Sequence, residues 1–105
     1  MRKEKINDLI EALAAVREKP MMFVGADLSA MVHFLNGVDW VAGALDLNAD
    51  FGESFQNVLQ ERGWSVTPSL VNLLEENGLD QTQIAAELTT IRIETWKKIL
   101  GHLDQ

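Results

Sequence analysis

Lys19-Pro20-Met21-Met22-Phe23-Val24-Gly25 is the one apolar run of this chain that lies between a proline and a glycine instead of riding on a helical stripe. Upstream, Ile6, Leu9, Ile10, Leu13 and Val16 recur at spacings of three and four, which predicts an amphipathic helix from about Lys3 to Glu18. Pro20 ends it, because a proline pushes the residue before it out of the helical region. Met21 to Val24 should then be extended and packed beneath the second and last helices, with Gly25 making a turn. Downstream, Asp27 or Ser29 caps a second helix that reaches about Leu45 through Leu28, Met31, Val32, Leu35, Val38 and Val41. Gly37 and Gly43 lie inside it, each costing about 1 kcal/mol of helix preference, and signal close packing or a bend.

The remaining segments read the same way. Asp46 to Asp50 is a polar linker, with Asp50 capping a short helix over 51–61 that turns Phe51, Phe55, Val58 and Leu59 inward. Gly63 closes that helix, and Trp64-Ser65-Val66 is a brief connector. Thr67-Pro68 signals the start of a helix over 68–77, closed by Gly78. Asp80 and Gln83 form a capping-box pair for the last helix, in which the β-branched run Thr89-Thr90-Ile91-Arg92-Ile93 invites a break. No alternating strand pattern of useful length occurs. The expected architecture is a single all-α domain of about five helices with one short extended segment.

Composition narrows the function classes. A domain of 105 residues can bury roughly two-thirds of the surface its unfolded chain exposes, enough for a core without crosslinks. No run reaches the roughly 18 apolar residues of a membrane span, and the N-terminus is charged, without a signal-like apolar region. The absence of cysteine removes disulfides, thiolate metal sites and cysteine nucleophiles, and fits a cytoplasmic protein. Net charge is -7, and its distribution is uneven. Between Lys19 and Arg92 ten acids face a single base, Arg62. Such a middle repels phosphate backbones, so nucleic acid is not an expected partner. It serves solubility, or it attracts a protein with a basic surface.

Two resemblances follow from the opening stretch. Arg17 to Gly25 resembles the R-K-R-P-G-M-Y-I-G opening of the gyrase B type ATPases, but Met21 replaces its glycine and the downstream Asp-Asn pair and glycine-rich lid are missing. That activity is therefore not carried over. The chain more closely resembles small bacterial proteins with an R-P-x-M-Y-L-G box, represented here by Pro20, Met22, Phe23 and Gly25. In those proteins the box precedes an S-L-x-x-L-x-x-F-L-x-G-Y block, an aromatic helix ending near R-x-G-W, and an acidic helix pair. Asp27-Leu28-Ser29 to Gly37, Phe51 to Trp64, and Ser69 to Leu103 look like those blocks. The resemblance implies a helical fold and, for some such proteins, an immunity or accessory role beside toxins. It supplies no catalytic residue.

The candidate chemistry is sparse. Asp46-x-Asn48-x-Asp50-x-Gly52-Glu53 resembles half a calcium loop, but the glycine falls one place late and Asn57 stands where a bidentate glutamate belongs. His33 and His102 are far apart, and His33 reads as a partly buried, hydrogen-bonded core neighbour. No nucleophile elbow, phosphate loop or dinucleotide fingerprint occurs. We therefore expect no enzyme, metal or cofactor. The leading reading is a protein-binding domain that meets a basic partner with Asp46, Asp50 and Glu53 and with Trp40 and Trp64 as aromatic anchors. A second reading is a ligand or metal pocket near Met22, Phe23, His33 and Trp40. A third is a homodimer with the first helix or the methionines as its seam.

Overall fold

The last helix carries too many apolar positions for one stripe. Ile84, Leu88, Ile91, Thr95 and Ile99 follow each other at three- and four-residue steps, and Thr89, Ile93 and Trp96 form a second row beside them. A helix patterned on two sides must be covered on two sides. The computed structural model, which describes residues 2–19, 27–45, 47 and 50–103, shows this arrangement. Its helices are α1 (Arg2–Glu18), α2 (Leu28–Ala44), α3 (Phe51–Glu61), α4 (Leu70–Glu76) and α5 (Gln81–Leu103). All eight of those α5 residues are buried, and α1, α2, α3 and α4 each pack against α5. The expected all-α bundle of about five helices is the observed one, with no strand among the described residues.

Each helix docks by a different apolar set. Ile6, Leu13 and Val16 of α1 and Met31, Leu35 and Ala42 of α2 join Trp96, Ile93 and Leu74 in one core cluster. Val58 and Leu59 of α3 close on Ile91 in a second. Phe51 bridges the two regions, stacked on Phe55 at 5.7 Å and tilted against Trp96 at 5.3 Å. No helix among the described residues is long and apolar enough to cross a membrane.

The anticipated break at Thr89–Ile93 does not occur. Thr89 and Thr95 donate their hydroxyls to the carbonyls of Ala85 and Ile91, one turn back, at 2.8 and 2.7 Å. These bonds satisfy both threonine hydroxyls within the helix, so the β-branched residues are accommodated by local back-bonding.

The ends follow capping chemistry closely, with two corrections. Asp27 caps α2 by accepting the Ser29 N–H at 3.0 Å. Asp80 and Gln83 exchange side-chain-to-backbone bonds of 2.8 and 2.9 Å, the reciprocal box that starts α5. Gly63 and Gly78 adopt φ of +84° and +88°, and each closes the preceding helix with paired bonds. Gly63 N–H reaches Gln60 O while Trp64 N–H reaches Leu59 O, and Gly78 with Leu79 repeats the pattern on Glu75 and Leu74. The first correction concerns α4, which begins at Leu70, not Pro68. The Thr67 hydroxyl accepts the N–H of Ser69 at 3.2 Å, so Thr67-Pro68 forms a local turn before the helix. The second concerns Asp50, which precedes α3 at φ +62° and makes no side-chain cap. Aspartate tolerates this left-handed conformation, and its role here is to turn the backbone. Pro20 to Gly25, with the expected extended packing of that segment, lies outside the described residues.

Trp96 is wholly buried, and its Nε1, like Ser54 Oγ, has no hydrogen-bond partner among the described residues. Trp96→Ala should cost about 3–5 kcal/mol in urea unfolding, whereas Trp96→Phe, which keeps an aromatic ring and drops the unpaired N–H, should cost about 1–2 kcal/mol. Equal losses would show that the indole N–H, not ring burial, sustains the site.

Candidate functional site

Seventeen residues of α2 contain one acid and no lysine or arginine. That acid, Asp39, is turned inward: Arg92 of α5 donates to it from Nη2 at 3.0 Å and from Nε at 3.2 and 3.3 Å. The same guanidinium lies 5.8 Å from the centre of the Phe55 ring, tying α2, α3 and α5 at one point. With Met31, Leu35 and Ala42 facing the core, helical geometry turns Ser29, His33, Asn36, Trp40 and Ala44 to solvent. No acid, lysine or arginine stands on this face. Trp40 is 75% exposed, Val41 51% and Leu45 53%. Gly37 shares the face, and a methyl group there would meet nothing within 4 Å, so close internal packing is not its purpose.

Beside this face runs an apolar groove of about 580 Å³ between α1 and α2. Leu9 forms one wall, Phe34, Val38 and Val41 the other, and Leu45 and Leu47 one end. Lys5, Asp8 and His33 supply its polar atoms. His33 is exposed, not partly buried, because it falls in register with Trp40 and Ala44 and not with Leu35. A smaller hollow of about 300 Å³ lies on the other side of α2, where Asn36, Phe55, Thr67, Ser69 and Arg92 meet.

The acidic middle is less bare than its sequence. Asp39 pairs with Arg92, Glu61 with Lys98 at 2.6 Å, and Glu87 with Arg62 through two bonds of 2.6 Å. Asp27 and Asp80 serve as helix caps. Five of the ten acids are thus engaged within the fold, partly because α5 returns Arg92 and Lys98 to the region. Asp50, Glu53, Glu75 and Glu76 remain exposed. Asp46 lies outside the described residues, as do the motif residues Pro20, Met22, Phe23 and Gly25.

The three tryptophans separate clearly. Trp40 stands open on α2, and Trp96 is in the core. Trp64, expected as a second anchor, is half-buried, and its Nε1 donates to Glu87 Oε2 at 2.7 Å. It is committed inside the molecule. The Arg62 hydrogen bonds hold the Glu87 carboxyl below the usual glutamate range against the opposing effect of burial, with Trp64 assisting. The Arg62 guanidinium is raised in turn, chiefly by its bond to Glu87.

Among the described residues no group of three histidine or carboxylate side chains is placed to hold a metal ion. Of the proposed ligand-pocket residues, His33 borders the groove, Trp40 does not line it, and Met22 and Phe23 lie outside the described residues. The clearest sequence signal for the groove and its face was the shortage of charge between Leu28 and Leu45. Comparison with known protein families, with curated proteins and with solved structures found no match.

Because the folded Glu87 pKa is lowered, its contribution to stability is complete above the ordinary glutamate pKa of about 4.3 and is lost as pH falls through the lower folded value. Glu87→Gln should therefore cost about 1–2 kcal/mol at neutral pH and much less near pH 3. A penalty that did not shrink in acid, measured by denaturant unfolding at both pH values, would rule out an ionic lock.

Proposed function

We propose that this protein is a non-enzymatic protein-binding domain, of the immunity or adaptor kind, whose main contact surface is the outer face of α2. One observation carries the reading: the outer side of a 17-residue helix bears no acid, lysine or arginine, its lone Asp39 being paired with Arg92 at the flank, while Trp40 stands 75% exposed beside Val41 and Leu45. Solvent-facing helices in water carry charge on their outer side, and large apolar patches with an aromatic centre mark interaction sites. Asp50 and Glu53, exposed after the end of α2, add a field that attracts a basic partner. Trp64 leaves the anchor set, since its polar end is occupied by Glu87.

A ligand-binding reading has its own support in the groove, whose volume of about 580 Å³ suits a small amphipathic molecule. It leaves the exposed Trp40 without a role, and we rank it second for that reason.

Capture from native cell extract with immobilised protein tests the leading reading. Trp40→Glu should abolish retention of a stoichiometric partner. Asp50→Lys with Glu53→Lys should weaken it and flatten its salt dependence. Retention unaffected by Trp40→Glu would remove α2 as the contact surface.

A further inference from the structure

We infer that the outer face of α2 is covered by a second copy of this chain, forming a two-fold dimer with α2 at the seam. This inference rests on the reading of α2 as a binding face and names the occupant.

The argument begins with charge. The chain carries a net charge of -7, so two copies repel across most of their surface. The outer face of α1 carries both signs, and the exposed residues Asp50, Glu53, Glu75 and Glu76 are acidic. Among the described residues, the α2 face alone combines large exposed apolar side chains with the absence of any acid, lysine or arginine. Two copies can meet there without bringing like charges together. The counter-charge a basic protein would seek lies beside this face, on Asp50 and Glu53, and not on it, and a small molecule held in the groove would leave Trp40 in water.

A two-fold interface places the same patch on both partners, so it must be compatible with itself. A neutral apolar patch meets that requirement, whereas an acidic one does not. Area sets the strength. Trp40 alone exposes on the order of 200 Å². With Val41, Leu45 and the α2 wall of the groove the face reaches about 500 Å², the scale of the largest patch on a typical monomer. Two such faces bury about 1,000 Å² in all, at the lower limit for a specific interface and in the range of weak, reversible association.

Salt separates this partner from a basic one. Screening relieves repulsion between two acidic copies, so dimerisation should tighten as ionic strength rises, whereas binding of a basic protein should loosen. Sedimentation velocity over a micromolar concentration series, at low and high salt, tests the inference directly. The expected result is a reversible doubling of mass, strengthened by salt. Trp40→Glu should raise the dissociation constant at least about ten-fold while leaving the helical circular-dichroism signal intact. Val66→Glu is the control: Val66 is 53% exposed but lies in the α3–α4 connector, and its variant should dimerise as the parent does. A monomer at every concentration and salt overturns the second copy, as does a dimer indifferent to Trp40→Glu or one disrupted equally by Val66→Glu. A monomer that still loses its captured partner on Trp40→Glu would overturn the dimer alone and leave α2 as a face for a different protein.

Discussion

Covering α5 on both its rows is the constraint from which the remaining packing follows. Eight of its residues are buried, so four helices must be arranged around it, and none of the four needs an extensive interface with another. The result is a hub with spokes. Spokes that diverge leave space between them, and the groove between α1 and α2 is such a space. The open side of α2 has the same origin: Met31, Leu35 and Ala42, flanked by Leu28, Val32 and Phe34, dock it on the core, and Trp40 and Val41 are left over.

Charge is arranged around the same hub. Among the described residues three ion pairs join side chains distant in sequence to α5: Arg62 to Glu87, Asp39 to Arg92, and Glu61 to Lys98. Two of them place the base on α5 and the acid on a spoke; the third reverses the order. The helices α2 and α3 are thereby given a preferred rotation about the hub as well as an apolar contact with it, since ionic pairs are directional where hydrophobic burial is not. The exposed Glu61–Lys98 pair contributes little to stability, and the partly shielded Asp39–Arg92 pair and Arg62–Glu87–Trp64 group contribute more.

Local chemistry was readily legible. The bounds of α3, the Asp27 cap, the Asp80–Gln83 box and the glycine ends at 63 and 78 could all be read from the chain, because each depends on residues within a few positions of one another. Three local signals were misleading for definable reasons, one of them Asp50, which turns the backbone at φ +62° instead of capping α3. Thr67-Pro68 can open a helix or close a turn, and only the position of Ser69 decides between them. The β-branched run in α5 looked like a break because threonine back-bonding is invisible until the helix exists. Long-range features were harder. The acid bias overstated the bare acidic surface because Arg92 and Lys98, remote in sequence, fold back onto it. The exposure of Trp40 and the burial of Trp64 and Trp96 depend on which helices meet, which no window of sequence contains.

The chain contains three tryptophans and no tyrosine, and the fold puts each indole in a different medium. Trp96 is sealed in hydrocarbon, Trp64 is bound to a carboxylate, and Trp40 is in water. The protein thus carries its own set of optical probes, one for the interior, one for the ionic fastening and one for the outer face. Excitation at the indole band samples all three without a label, and single replacements with phenylalanine assign each component of the emission to its layer.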